Sequence, residues 1–299
     1  MNDAHWDVIV VGAGIAGMSA AQVVAEAGLS CIAFDKLFPG GQIVNLPHIA
    51  NLPGIPKETS GAEVSGVLLE SIMDLGVEIA YGEVEAIEPG KPQLVRTAGR
   101  ELTADAVIIA TGKSAGKLDF DEASEFLGRG LSECASCDGP MYSGKRAVVV
   151  GSDEWAAQET IELAQFADVV TLISPATPRW STFRAKQLSD ASGIEVREGV
   201  SVVALRGDSV LERLELSDGS VIDAAGVFPY VGKSPNSGVL PRVATDEGVI
   251  GVDSSMATTS PGVFAAGDVR EGAAEYVAAA IGDGLTAGRR AAEFLRSSQ

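Results

Sequence analysis

Apolar residues along the chain follow two periods, and the switch between them predicts its elements. Val8–Val11 is a β-branched run with no polar interruption, the pattern of a strand covered on both faces. From Ile15 to Ala27 the apolar positions take helical spacing and stop at Gly28, so a helix is expected there. Ser30–Phe34 predicts a second strand. A loop rich in Gly, Pro and Asn follows from Phe38 to Thr59. Val64, Val67, Leu68, Ile72, Met73 and Leu75 then share one helical face, ended by Gly76. Short strands are expected between Val77 and Leu94, and a buried one at Ala106–Ala110.

The same order recurs in the second half. Ala147–Val150 predicts a strand, Gly151 a turn, Glu154–Phe166 a helix and Val169–Ile173 the next strand. Two strand–turn–helix–strand units imply an α/β protein with two nucleotide-binding-type domains. After Gly238 the chain gives short strands and an Ala-rich helix, Leu285–Leu295. That tail is too short for a third domain and is expected to return to the first.

Composition sharpens this picture. The chain has 299 residues, 46% hydrophobic and 21% charged, which fits two packed domains and excludes a disordered chain. Its 35 glycines point to many tight turns and close backbone approaches. Acids outnumber bases, 41 to 22, for a net charge of −19. A surface this acidic excludes nucleic acid or an anionic membrane as the main partner. The uncharged stretch from Val8 to Ala25 contains Gly12, Gly14, Gly17, Ser19 and Gln22 and changes period midway. It reads as strand, turn and helix, not as a membrane span. Three cysteines exclude a disulfide-stapled secreted scaffold, and the acidic start without Lys or Arg is a poor secretory signal. A cytoplasmic address is expected.

Gly12-Ala13-Gly14-Ile15-Ala16-Gly17 follows a strand and opens a helix. Gly12 makes the turn, Gly14 lets a pyrophosphate approach the backbone, and Gly17 lets the helix pack on the sheet. The phosphates are expected at the helix N-terminus, where free N–H groups and the dipole favour anions. Asp35, ending the second strand, is placed to hold a ribose hydroxyl. Gly262–Asp268 is a strand running into a Gly-Asp turn, from which Asp268 could bond a flavin's ribityl chain or cap a helix.

Cys134-Ala135-Ser136-Cys137-Asp138-Gly139 carries the chemistry. Two cysteines three apart in a turn can close a small disulfide, and beside βαβ units they read as a redox pair. A closed zinc site needs four ligands, and only Cys31, His5 and His48 remain to supply them. Cys31 falls in a buried strand, where a small core residue is expected. Asp138 could give a proton to a leaving thiolate and take it back, or could simply form the Asp-Gly turn.

Together these residues resemble the low-molecular-weight thioredoxin reductases, flavin-dependent disulfide oxidoreductases. The resemblance runs nearly end to end and rests on Gly12–Gly17, Gly40-Gly41-Gln42, Asn51-Leu52-Pro53-Gly54, Ala110-Thr111-Gly112, the Cys134–Gly139 motif and Gly262–Asp268. It implies two Rossmann-like three-layer domains, the second inserted in the first. An FAD domain would cover 1–114 and 241–299, and an inserted domain with the cysteines 115–240. It also implies an FAD site. The glycine turn would supply Gly12, Gly14, Ile15, Ala16 and Gly17, and the end of the second strand Phe34, Asp35 and Lys36. Gly41, Gln42, Asn51, Val84, Ala110, Thr111 and Gly112 would come from the loops that follow. Gly267, Asp268, Tyr276 and Val277 would come from the tail. Cys134, Cys137 and Asp138 would be catalytic, with Cys137 toward the flavin and Cys134 attacking an outside disulfide. A homodimer and a thioredoxin-like partner are implied as well.

The chain departs from the family at its second glycine turn. Where a GxGxxA turn for NADPH is expected, it reads Gly151-Ser152-Asp153-Glu154-Trp155-Ala156. The middle glycine is an acid, a second acid follows, and Trp155 replaces a small residue. The basic cluster for the NADP 2′-phosphate is replaced by Ser174-Pro175-Ala176-Thr177-Pro178, with Arg179 and Arg184 nearby. Glu275 and Tyr276 stand where the family has a basic residue and Gln. The expected function is an FAD-dependent thiol-disulfide oxidoreductase not served by NADPH, its electrons coming from a ferredoxin-like protein. Docking an acidic ferredoxin would need a local basic patch. An ordinary NADPH-dependent reductase, a small-dithiol oxidase and a non-enzymatic flavin sensor stand as alternatives. A second flavin in the inserted domain would be opposed by the same acids.

Overall fold

The computed structural model describes residues 5–46, 49, 51–56, 58–118, 120–132, 134–245 and 247–298, without the side chains of 121, 122, 136, 137 and 298. The chain forms two compact units, one of residues 1–114 and 235–299 and one of 115–234.

The first unit starts β1 (His5–Val11), α1 (Ile15–Glu26), β2 (Cys31–Asp35), α2 (Gly61–Asp74) and β3 (Glu78–Tyr81). It continues with β4 (Val84–Glu88), β5 (Gln93–Thr97) and β6 (Arg100–Ile109). The chain leaves through β7 (Lys113–Ala115). The second unit holds α3 (Ala135–Asp138), β8 (Arg146–Val150), α4 (Glu154–Leu163), β9 (Val169–Ser174), α5 (Thr182–Asp190) and β10 (Ile194–Glu198). It ends with β11 (Val202–Arg206), β12 (Arg213–Leu216), β13 (Val221–Asp223) and β14 (Gly226–Pro229). The chain returns through β15 (Lys233–Pro235) and finishes with β16 (Val263–Ala265) and α6 (Val277–Ser298).

In the first unit the sheet runs β3-β2-β1-β6-β5-β4, with β16 also on β6. The pairs from β3 to β6 and β16 are parallel, while β4-β5-β6 is antiparallel. β6 serves both, because Arg100–Ala104 pairs with β5 while Ala106–Ile109 pairs with β1. One face, with Val8 and Val10, is buried under α1, α2 and α6. The other, with Ile9 and Val11, is covered by β4, β5, Leu240, Val243 and Ile250 instead of helices.

In the second unit β10-β9-β8-β14 is a fully parallel sheet. Ala147, Val149, Val170 and Leu172 pack on Ala156, Ala157, Leu163 and Leu188 of α4 and α5. Val148, Val150 and Ile173 pack on the antiparallel β11-β12-β13 layer through Leu205, Leu214, Leu216 and Ile222. Two three-layer Rossmann-like units are therefore present.

Three expectations are corrected. The return crossing falls at 234/235, not at 240/241. Asn236 is already tied to the first unit, its Nδ2 donating to the Thr111 carbonyl at 2.9 Å and its N–H to the Gly112 carbonyl at 3.0 Å. The last helix begins at Val277, not at Leu285. Gly282 and Gly284 look like helix breakers in sequence, yet a Cβ on Gly284 would lie 2.1 Å from the Ala16 carbonyl oxygen. Glycine there lets α6 close on α1. The helix expected to reach Phe166 ends at Leu163, and a turn follows.

Candidate active site

The two strand–turn–helix units can be compared directly. In the first, Gly12 has φ +101, and a Cβ would lie 2.3 Å from the Ala110 carbonyl oxygen. A Cβ on Gly17 would lie 1.8 Å from the Gly12 carbonyl oxygen. Both glycines are required by the fold. Gly14 is not, since its Cβ would meet no protein atom closer than Gly41 Cα at 3.8 Å. It is the N-cap of α1, no side chain caps that helix, and its first turn holds no acid. The first N–H groups of α1 are thus left for an external anion beside an open cradle, which fits a dinucleotide's pyrophosphate. Gly14→Ala should keep the fold but weaken FAD by about five- to a hundredfold, from roughly 1–3 kcal/mol of overpacking. Titration of the apoprotein followed by flavin fluorescence measures this.

The other expected FAD residues gather round this turn to different degrees. Ile15 and Ala16 are buried in the first turn of α1, and Phe34 is buried in β2. Asp35 accepts from the Ala13 N–H at 3.1 Å and the Leu37 N–H at 3.0 Å, which leaves a carboxylate lone pair for a hydroxyl. Lys36 instead pairs with Glu83 at 2.9 Å, both exposed. Gly40 donates to the Ala13 carbonyl at 2.7 Å, which lays Gly41, with φ +65, beside Gly14. Gln42 donates through Nε2 to the Lys113 carbonyl. Val84 is buried just after Gly82, whose N–H donates to the Asp35 carbonyl at 2.9 Å. Asn51 and Val277, far apart in sequence, meet where the Val277 N–H donates to Asn51 Oδ1 at 3.4 Å. Tyr276 beside them is 58% exposed. Ala110 is buried, and Thr111 Oγ1 donates to the Asn236 carbonyl at 2.7 Å.

Sequence reasoning missed two supports. Arg270 and Asp283 form a two-pronged ion pair, Nε to Oδ2 at 2.6 Å and Nη2 to Oδ1 at 2.9 Å. The same Oδ2 accepts the Gly267 N–H at 3.2 Å, which fixes the turn that carries Asp268. Asp283 sits between two glycines of α6, where its helical face gave no signal. Glu275, with φ +55, is paired with Lys113 Nζ at 2.6 Å, so its carboxylate charge is balanced.

The second turn is built differently. Asp153 is the N-cap of α4 and its carboxylate accepts the Ala156 N–H at 3.0 Å. Glu154 accepts the Ser181 N–H at 2.7 Å and Arg184 Nε at 3.2 Å. Desolvation opposes its charge, but the Ser181 N–H and the Arg184 guanidinium outweigh it and lower its pKa. Ser152 Oγ accepts from the Ala176 N–H at 3.1 Å and the Ser174 hydroxyl at 2.9 Å. A Cβ on Gly151 would lie 2.4 Å from the Tyr230 carbonyl oxygen. Where the first turn leaves an open helix end, the second caps its own with the Asp153 carboxylate.

Cys134 is disulfide-bonded and half-buried, and its N–H donates to Ser132 Oγ at 3.2 Å. The Cys137 side chain lies outside the described residues. Asp138 closes the turn, its N–H donating to the Cys134 carbonyl at 3.2 Å. Cys31 is a free thiol in β2, pushed up to about 12 by burial, and so an inert core residue. Among the described residues no three His, Cys, Asp or Glu side chains gather as a metal site. No helix among them is long and apolar enough to cross a membrane.

A family model described as pyridine nucleotide-disulphide oxidoreductase matches residues 6–284. A thioredoxin reductase of Treponema pallidum is 36% identical over 99% of this chain and 99% of its own. The structure of Lactococcus lactis thioredoxin reductase matches with TM-score 0.92 and 30% identity, over 98% of this chain and 99% of that one. A ferredoxin-flavin thioredoxin reductase from Clostridium acetobutylicum matches with TM-score 0.55 and 28% identity, over 98% and 99%.

Proposed function

The chain belongs to the pyridine nucleotide-disulphide oxidoreductases, is a thioredoxin-reductase-like FAD enzyme, and on that premise we propose that it reduces a thioredoxin-like protein with electrons not drawn from NADPH. One observation carries the second half of this reading. The α4 N-terminus, where the nucleotide diphosphate of NADPH would sit, is capped by Asp153, while the α1 N-terminus is left uncapped.

The Gly12–Gly17 turn, Asp35, Asn51 and the Gly267–Asp268 turn would hold FAD, which would supply two-electron chemistry when bound. The protein's own steps follow thiol exchange. Two electrons and two protons break the Cys134–Cys137 disulfide to two thiols. The Cys134 thiolate attacks one sulfur of the partner's disulfide, that S–S bond breaks, and the released partner thiolate takes a proton. Cys137 then attacks the mixed disulfide, restoring its bond to Cys134 and freeing the partner's second thiol. Asp138 gives and retrieves the proton at the leaving sulfur. A ferredoxin-like protein is the donor class this reading favours, and a cytoplasmic homodimer is its expected setting.

Anaerobic photoreduction tests the scheme. Light-reduced holoenzyme mixed with excess oxidised thioredoxin should regain its flavin colour within seconds, releasing four thioredoxin thiols per flavin, two from the flavin's electron pair and two from the Cys134–Cys137 dithiol opened in the same photoreduction. Reduced flavin that ignores thioredoxin but is reoxidised by oxygen, with dithiols consumed in turnover, would favour the dithiol oxidase instead.

A further inference from the structure

Behind the redox turn lies a buried polar couple that the thiol-exchange steps do not use. Tyr230, 1% exposed, follows β14, and its hydroxyl accepts the Ala135 N–H at 2.9 Å. The same hydroxyl donates to Glu159 Oε2 at 3.0 Å. Glu159 lies on α4 and is 4% exposed; Ala135 is 0% exposed and adjoins Cys134. The Trp155 ring packs edge-on against Tyr230 at 4.5 Å, and Trp155 also hydrogen-bonds Glu159. All of these residues belong to one unit.

Burial this deep disfavours the charge of a carboxyl group. A packing role would be met as well by a neutral amide or an apolar side chain. Here the carboxyl is joined by one phenol to the first N–H of the helix that carries the cysteines. Hydrogen bonds in such a chain polarise one another in a low dielectric. An ionised Glu159 pulls on the Tyr230 proton, makes the phenol oxygen a stronger acceptor, and draws the Ala135 N–H away from Cys134. A neutral Glu159 relaxes the chain and leaves that N–H dipole to favour negative charge on the Cys134 sulfur.

We propose that Tyr230 and Glu159 are positioning residues that relay the charge state of Glu159 to the Cys134 disulfide and so set how readily it is reduced. The inference rests on the reading that this disulfide is the working redox centre. Burial raises the pKa of Glu159, and its neighbours do not reverse this. Among the described residues the charges that act on the couple are Glu162 on the same helix and Asp138 at the end of α3, both acidic. Lys233 sits on the indole, 4.6 Å from the Trp155 ring centroid. Tyr230, raised by burial and then by the Glu159 charge, keeps its proton and acts as a relay.

The test is a dithiothreitol titration of the holoenzyme across pH, read by alkylation and mass of the cysteine peptide. In each titration dithiothreitol loses two electrons and closes to its cyclic disulfide, while the Cys134 disulfide takes them with two protons and opens to thiols. The wild type takes up a further proton on Glu159 where that group titrates, so its potential falls more steeply with pH there. Glu159→Gln keeps the shape and a hydrogen-bond acceptor but cannot ionise. Its disulfide should be about three- to tenfold easier to reduce than the wild type's at about pH 9, and equal to it at about pH 5. Tyr230→Phe should lose the same extra step. Parallel curves for all three proteins would overturn the proposal. So would loss of the step in Glu159→Gln with its survival in Tyr230→Phe, which would mean action through space and not through the phenol. The titration does not use the flavin. A wild-type flavin that fails to reduce the disulfide would therefore refute the underlying reading while leaving this result interpretable.

Discussion

Cys134→Ser should yield a yellow, folded protein that has lost disulfide turnover by more than about a thousandfold. A serine hydroxyl can neither close the disulfide nor attack one, so no slower version of the same step remains. The fold has little reason to object. Cys134 is half-buried, and Ser is close to it in size. The glycine turn proposed to hold FAD, residues 12–17, lies in the other compact unit, so flavin content should be unchanged. Turnover with thioredoxin under photoreduction, set against flavin absorbance per chain, gives both numbers. Cys137→Ser should fail differently. It keeps the attacking thiol but cannot resolve the product, so it should accumulate a mixed disulfide with thioredoxin, visible on a non-reducing gel. Cys134→Ser should accumulate none. If the two variants exchange these behaviours, the order of the sulfurs is reversed and the overall function stands. If Cys134→Ser turns over normally, the redox centre is elsewhere.

The first glycine turn was legible because its signals are local. Val8–Val11, Gly12, Gly17 and Asp35 lie within one βαβ unit, and their spacing alone forces the turn, the helix and the acid into place. The Cys134–Asp138 motif was legible for the same reason. What sequence could not give were partners joined only by the fold. Asn236 bonds Thr111 across 125 residues, and Tyr230 bonds Ala135 across 95. Asp283 was hidden by the glycines on either side of it. Of the two, Gly284 serves α1–α6 contact, a reason that propensity cannot see. Glu159 looks in sequence like an ordinary solvent-facing acid on α4, and only the packing of Trp155 and Tyr230 over it makes it a buried group. The second turn was read correctly as anionic but incompletely as chemistry. Two bare carboxylates repelling a phosphate is too simple, because Glu154 is matched by Arg184. The obstacle is narrower. On the proposed reading Asp153 takes up a helix N–H, and Glu154 takes up the Arg184 guanidinium.

That narrower account makes a stronger prediction than repulsion alone, because it says how to reopen the cleft. In the wild type, NADPH and NADH should bleach the flavin at least about a hundredfold more slowly than photoreduction or a ferredoxin-type donor. In the double variant Asp153→Gly, Glu154→Gln, NADPH should gain by about thirtyfold or more. Removing Asp153 frees the Ala156 N–H and the space a diphosphate needs, and replacing a cap with Gly costs only a few tenths of a kcal/mol. Removing the Glu154 charge leaves Arg184 as a net cation beside the cleft, still held by Gln187 Oε1 at 2.8 Å. Two unit charges about 4 Å apart interact by about 4 kcal/mol at an effective dielectric of 20. Even half of that, about 2 kcal/mol, is a factor of roughly thirty in affinity. Salt should weaken NADPH binding to the double variant, though less than for a surface pair, because the Arg184 side chain is only 18% exposed. Stopped-flow absorbance of the flavin, with each nucleotide in turn, decides the matter. Rapid bleaching of the wild type by NADPH would mean that Asp153 is a helix cap in a domain that still binds the nucleotide, and that the enzyme is an ordinary NADPH-dependent reductase. Slow bleaching in the wild type with no gain in the double variant would locate the block outside this turn, with the replaced basic cluster at Ser174–Pro178 as the next place to restore a cation.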